Sequence, residues 1–217
     1  MNPMQTIYNH AKTVSIFQQL CSRFNSVQGF LSQLEGFALY LLATMGPGQG
    51  EVVEIGSYKG LSTCWIAEGL KASNREQVTA VDHFEGSDEH SDEEKKDLLE
   101  IFLANISEQG LNDYVIPTKM SSENAVQKWH ENGAKPIRLL FIDGDHSYEG
   151  VKKDFNLWSE LLIESGIVCF HDYQSKGYPG VTRFVDELLV HSSRYGDVMN
   201  ANALKVIQII NGNHHVD

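Results

Sequence analysis

Five short apolar runs recur along the chain, EVVEI, QVTAVD, DYVIPT, IRLLFID and IVCFHD, and each is followed by a stretch with helical spacing. No other feature constrains the fold as tightly. Strands that are apolar at almost every position need cover on both faces, and a crossover helix after each strand supplies it. The pattern therefore predicts an α/β fold built on a parallel sheet. LSTCWIAEGLKA packs Cys64, Trp65, Ala67 and Leu70, and the next helix presents Leu98, Leu99, Phe102 and Ile106. SENAVQKWHENG has Ser121 or Ser122 as its cap, and YEGVKKDFNLWSELLIESG is closed by Gly166. VTRFVDELLVHSS follows the fifth strand, and YGDVMNANALKVIQII reads as two strands joined at Asn200 to Asn202, an antiparallel hairpin.

Two helices precede the first strand. Val14, Phe17, Leu20 and Cys21 share one helical face, and GFLSQLEGFALYLLATMG starts at Ser32 as N-cap and stops at Gly46-Pro47-Gly48. No repeat or linker interrupts the chain, so the expectation is one domain over residues 1–217, a helical segment at 1–48 and a core at 49–217. With 41% hydrophobic residues in 217, a sizeable core is available. A formal net charge of -12 counts against nucleic acid or an anionic membrane as partner. Three unclustered cysteines, Cys21, Cys64 and Cys169, fit a reducing compartment, hence a cytoplasmic location. Neither a signal peptide nor a membrane-length apolar window is read in the sequence. The apolar N-terminal helices are a candidate surface for pairing two copies.

In doubly wound sheets the ligand lies at the carboxyl ends of the strands, near the switch point. Here those ends carry Gly56 to Gly60, Asp82 and His83, Met120 to Ser122, Asp143 to Tyr148, and His171 to Tyr173. The turn VVEIGSYKGLST is no P-loop, because Leu61 rather than lysine follows Gly60. It is a poor dinucleotide fingerprint, because Tyr58 stands where the middle glycine admits pyrophosphate. Glu54 and Asp82, acids at the ends of two neighbouring strands, suit a nucleoside with a ribose and a cationic sulfonium tail. Carboxylates accept ribose hydroxyls in strong charge-assisted bonds. The competing reading is that Gly56 and Gly60 only permit close packing and Asp82 only caps a loop.

VVEIGSYKGLSTCWIAEGL, VTAVDHFEG, LLFIDGDHSYEGVKKDFNLWSELLIESGIVCFHDY and PGVTRFVDEL resemble class I S-adenosylmethionine-dependent methyltransferases. The likeness is to the branch that includes macrolide-sugar, aminocoumarin-sugar and cephalosporin-pathway methyltransferases, and it runs from about Gly29 to Leu189. It implies a Rossmann-like seven-stranded, mostly parallel sheet with a reversed C-terminal hairpin. It implies cofactor contacts at Glu54, Gly56, Ser57, Tyr58, Gly60, Ser62 and Asp143, with Asp82 on the ribose. His83 or Phe84 would lie beside the adenine, and Ser121 and Ser122 at the base edge.

DGDHSYEG and FHD bring Asp143, Asp145, His146, Tyr148, His171 and Asp172 to adjacent strand ends, about 4.8 Å apart in a sheet. Methyl transfer needs an in-line acceptor and removal of its proton. By resemblance, a divalent cation would be held by Asp143, His171 and Asp172. His171 departs from the oxygen ligands that Mg²⁺ prefers, which leaves three outcomes: Mg²⁺ on Asp143 and Asp172, a softer metal, or none. Asp145 matches the base of related sugar enzymes, while His146 has the better unperturbed pKa, near ~6.5; either is the expected base. The bland alternative makes these residues helix caps and loop packing. Asp88 to Asp97 reads as a solvated helix start, Gln174 to Val181 as a loop shaping acceptor choice, and the three tryptophans as core; His214 and His215 get no role. The expected activity is O-methylation of a small sugar or phenolic hydroxyl. The rivals are a nicotinamide-dependent oxidoreductase using Tyr148 and Lys152, and a non-catalytic nucleoside-binding protein.

Overall fold

The computed structural model describes residues 3–86, 93 and 95–210. Helices α1 (Pro3–Phe24) and α2 (Gln33–Met45) lead into β1 (Glu51–Ile55), α3 (Leu61–Ser73), β2 (Val78–Asp82), α4 (Leu98–Glu108) and β3 (Val115–Lys119). Next come α5 (Ser122–Glu131), β4 (Ile137–Ile142), α6 (Tyr148–Trp158), β5 (Leu162–Phe170), α7 (Pro179–His191), β6 (Tyr195–Ala201) and β7 (Leu204–Ile209). The strands form one sheet in the order β3-β2-β1-β4-β5-β7-β6. β1 to β5 run parallel, and β7 is antiparallel to both β5 and β6. The α/β sheet with its reversed last hairpin is the architecture expected.

Alternate side chains of a strand point to opposite faces, and the two cores follow that rule. Val52 of β1 and Leu139 and Phe141 of β4 join α2, α3 and α4 on one face. Val53, Leu140 and Ile142 join α5, α6 and α7 on the other. Leu20, Phe24 and Val27 belong to the first core, so the N-terminal helices and the sheet share buried residues. α2 lies close on α3 because Gly36 has no Cβ: one would stand 2.3 Å from Trp65 Nε1. The buried Arg138 of β4 donates to the carbonyls of Leu42 and Ala43, which satisfies two C-terminal acceptors of α2.

Several boundaries differ from expectation. The helix expected to reach Gly166 ends at Trp158, because Leu162 and Ile167 pair with Ile137 and Leu139 of β4 and the ladder claims the segment. The irregularity between those pairs is taken up in part at Ser165, whose φ is 64°. The hairpin turns at Asn202 and Ala203 rather than at 200–202, since Ala201 pairs with Leu204. α4 begins only at Leu98, after Asp97 at a φ of 55°; most of the acidic run before it, and His214 and His215, lie outside the described residues. Ser121 is the cap of α5, accepting from Asn124 N. Trp65 and Trp158 are core, whereas Trp129 is half-buried and donates to the Lys135 carbonyl.

Candidate active site

The switch point lies between β1 and β4, where strand order reverses and the chain leaves toward opposite faces. At its carboxyl end is a crevice of about 910 Å³. The β1–α3 turn forms one wall. Gly56, Tyr58 and Gly60 have φ of 83°, 46° and 88°. A Cβ on Gly56 would meet the Asp143 carbonyl oxygen at 2.1 Å, so only glycine brings this turn so near the β4 loop.

Both acids expected to grip a ligand turn out to brace this turn. Glu54 is buried and accepts from the hydroxyls of Ser57 (2.9 Å), Ser62 (2.6 Å) and Thr63. Burial pushes its carboxyl up to about 7 against the pull of those three donors. Asp82 Oδ2 accepts from the N–H groups of Ser57 and Tyr58, each at 2.8 Å, and Oδ1 from Phe84 N at 2.6 Å. Asp82 does line the crevice, as do Gly56, Ser57, Tyr58, Ser62 and His83. Glu54, Gly60 and Phe84 do not; Phe84 is buried against Phe102, with ring centroids 5.2 Å apart.

Ser121 and Ser122 line the crevice from the start of α5. Ser122 Oγ accepts from Trp158 Nε1 at 3.0 Å and also bonds the buried Asp154 of α6, whose carboxyl burial pushes up.

Asp143, Asp145, His146, His171 and Asp172 gather at the ends of β4 and β5. His171 is buried; its Nδ1 lies 3.0 Å from Asp143 Oδ1 and 3.2 Å from Asp172 Oδ2, and its Nε2 3.6 Å from Glu35 Oε2. Burial alone lowers an imidazolium, but Asp143, Asp172 and Glu35 outweigh it and hold His171 charged, well above the ordinary range. Burial likewise raises Asp143, yet His171 and His146 pull it below the usual carboxylate value. His146 Nε2 lies 3.4 Å from Asp143 Oδ1 and 3.3 Å from Asp172 Oδ2, and its ring stands 4.3 Å from that of Tyr178. Asp145 is exposed and turned onto the helix start, accepting from Ser147 N at 2.8 Å.

Asp143, His146 and Asp172 offer ligand atoms that all lie within 4.8 Å of one another, among the described residues. His146 thus joins the two aspartates with which the sequence pattern grouped His171; His171 Nδ1 lies against the same two carboxylates and its Nε2 faces Glu35. One imidazole and two carboxylates suit Mn²⁺, Fe²⁺ or Zn²⁺ better than an all-oxygen Mg²⁺ site.

Glu35 is the residue that sequence reasoning missed. Ser32 and Glu35 form a capping box at the start of α2, and that spacing is legible. Its second task is not: Glu35 also accepts from Ala203 N at 2.8 Å and faces His171. The Tyr148–Lys152 pair of the oxidoreductase reading is diverted. Tyr148 donates to Glu187 at 2.6 Å, and Lys152 Nζ lies over the tyrosine ring at 5.4 Å.

A sheet of this order with a reversed last hairpin, its crevice at the β1/β4 switch point, is the architecture of class I methyltransferases. Residues 53–173 match the family model described as a methyltransferase domain, and the chain belongs to that family. It is 27% identical over 143 residues to the uncharacterized protein R132 of Acanthamoeba polyphaga mimivirus, covering 63% of this chain and 59% of that protein. It is 25% identical over 154 residues to the uncharacterized protein y4gI of Sinorhizobium fredii, covering 70% of this chain and 16% of that one. The chain thus spans less than two thirds of the length of these curated relatives. Among solved structures, an O-methyltransferase from Bacillus cereus in complex with SAH is similar at a TM-score of 0.62 and 20% identity, over 92% of this chain and 91% of that one. CalS11, a TDP-rhamnose 3'-O-methyltransferase of calicheamicin biosynthesis, is similar at 0.58 and 17% identity, over 96% and 95%. At these identities the likeness is one of fold.

Proposed function

We propose that the chain is an S-adenosylmethionine-dependent methyltransferase that methylates a hydroxyl oxygen of a small molecule. The shared core of helices and sheet supports reading residues 1–217 as one such domain. The observation that carries the reading is the meeting of a glycine turn braced by Asp82 with a His146–Asp143–Asp172 cluster in one crevice. Gly56, Ser57, Tyr58 and Ser62 would contact the methionine tail. Asp82 would bind the ribose, because a carboxylate has about four acceptor positions and three are taken. His83, Ser121 and Ser122 stand at the adenine end, while Glu54, Gly60 and Phe84 shape the turn from behind.

His146 is the proposed base, taking the acceptor's proton at Nε2 as the methyl carbon is attacked in line with its departing sulfur. Asp145 is the weaker candidate because its carboxylate is committed to α6. A divalent cation, held by Asp143, His146 and Asp172, would acidify and orient a bound hydroxyl; His146 would then serve as ligand. Three unpaired cysteines support a reducing, cytoplasmic setting, and the net charge supports a partner other than nucleic acid. No helix among the described residues is long and apolar enough to cross a membrane. The exposed apolar residues of α1 support pairing of two copies through the N-terminal helices.

Titration calorimetry with S-adenosylmethionine, S-adenosylhomocysteine and NAD tests the cofactor. The two adenosyl ligands bind and NAD does not, and Asp82→Ala weakens S-adenosylhomocysteine by about 1.5–3 kcal/mol, the range for a charge-assisted bond. A preference for NAD overturns the proposal.

A further inference from the structure

Six carboxylates line the crevice, those of Asp82, Glu123, Asp143, Asp145, Asp154 and Asp172. Against them stand two lysines and, among the described residues, no arginine. Both lysines are engaged: Lys59 donates to Gln28 Oε1 at 2.9 Å, and Lys153 pairs with Glu123. His171 is enclosed by Glu35, Asp143 and Asp172 and faces carboxylates on both sides.

Helix N-termini are the other common cradle for phosphate, and those of α5 and α6 at the crevice are already capped by their own side chains. α3 starts at Gly60 without a side-chain cap, and the Ser62 and Thr63 hydroxyls of its first turn are given to Glu54. α5 is capped by Ser121 and carries Glu123 in its first turn. Asp145 and Ser147 cover the start of α6. α7 opens on Pro179, which has no N–H to offer. A diphosphate seated beside the acidic cluster, at the starts of α5 and α6, would meet carboxylates and capped helix starts.

The apolar surface has a definite form. Tyr178 leans on His146 with ring centroids 4.3 Å apart, and Phe30, largely exposed, lies 5.8 Å from Tyr58. All four line the crevice, which gives it flat faces next to the acidic cluster.

Resting on the methyltransferase reading above, we propose that the acceptor is a hydroxylated aromatic compound, neutral or cationic, seated against Tyr178, and that nucleotide-diphosphate sugars are excluded. In this the chain differs from the TDP-rhamnose enzyme whose fold it shares. The ring hydroxyl would lie at His146 Nε2; oxygen gains the methyl group, its proton passes to His146, and the sulfonium leaves as the neutral thioether.

One scaffold in three charge states tests this without a known acceptor. Tyramine, tyrosol and 4-hydroxyphenyl phosphate, with TDP-glucose beside them, are titrated into protein saturated with S-adenosylhomocysteine and followed by saturation-transfer NMR. Tyramine binds more tightly than tyrosol at low salt, tyrosol more tightly than the phosphate, and TDP-glucose gives no transfer. Tyr178→Ala weakens tyrosol by about three- to tenfold, the worth of an aromatic pair, and Tyr178→Phe restores it, with S-adenosylhomocysteine affinity unchanged in both. The inference is overturned if TDP-glucose or the phosphate binds as well as tyramine, if neither ring probe binds, or if Tyr178→Ala changes nothing. Failure to bind S-adenosylhomocysteine at the outset would instead bring down the cofactor reading, so the two failures are distinct.

Discussion

Glu54 shows how one side chain can serve a site it does not touch. Its carboxyl is fully enclosed, and three hydroxyls converge on it from the turn and from α3. Burial raises its pKa from 4.5 to about 7, so the folded protein binds a proton at Glu54 that the unfolded chain has lost over that interval. A raised folded-state pKa makes its contribution to stability complete below about 4.5 and lost as pH climbs through about 7. Glu54→Gln removes that dependence while keeping an acceptor for the hydroxyls. The variant should therefore gain in melting temperature relative to the parent between pH 5 and pH 8. Parallel melting curves across that range would count against the assignment. From sequence, Glu54 is an acid at a strand end and nothing separates a ligand contact from a brace; the difference lies in which way a buried side chain turns.

At the scale of elements, Glu35 joins three pieces of chain that are far apart in sequence. It closes the capping box of α2, receives the Ala203 N–H from the β6–β7 turn, and faces His171 at the end of β5. His171 and the Ser32 donors outweigh burial and keep its carboxyl below the usual value. Removing Glu35 leaves the imidazolium neutralised by Asp143 and Asp172 but takes the acceptor from His171 Nε2 and from the Ala203 N–H, at a cost of about 1–3 kcal/mol for each unsatisfied buried group. Glu35→Ala should lower unfolding stability by an amount of that order in urea titrations. Glu35→Gln should cost less because it still accepts from Ser32 and Ala203. A loss in the alanine variant no larger than that of a surface substitution would mean that α2 is not anchored to the site through this residue. The S-x-x-E spacing shows in the sequence, but it announces only a helix start.

The whole molecule carries an unequal first helix. Leu20 and Phe24 at its end enter the core, whereas Met4, Ile7, Tyr8 and Val14 are 69%, 60%, 63% and 54% exposed. The spacing of Met4, Ile7 and Tyr8 puts them on one stripe, the pattern of a helix that buries a face. Light scattering behind size exclusion should give a dimer, and Ile7→Glu with Tyr8→Glu should shift it to monomer without altering S-adenosylhomocysteine affinity. A parent that runs as monomer at tens of micromolar would remove the pairing.

The alternation of apolar runs with amphipathic stretches determined the layered sheet, the reversed hairpin and the strand ends at which the crevice opens, because periodicity and turn chemistry act over a few residues. Sequence reasoning also reached Asp143, His146 and Asp172, since loops after strands collect on one edge. Tertiary structure alone decided that Glu54 faces inward, that His146 as well as His171 meets the two aspartates, and that Glu35 stands behind them. It likewise ended α6 at Trp158, where pairing with β4 overrode helical spacing. Direction of a side chain and choice of partner depend on residues far along the chain that folding brings together, and local pattern carries no record of them.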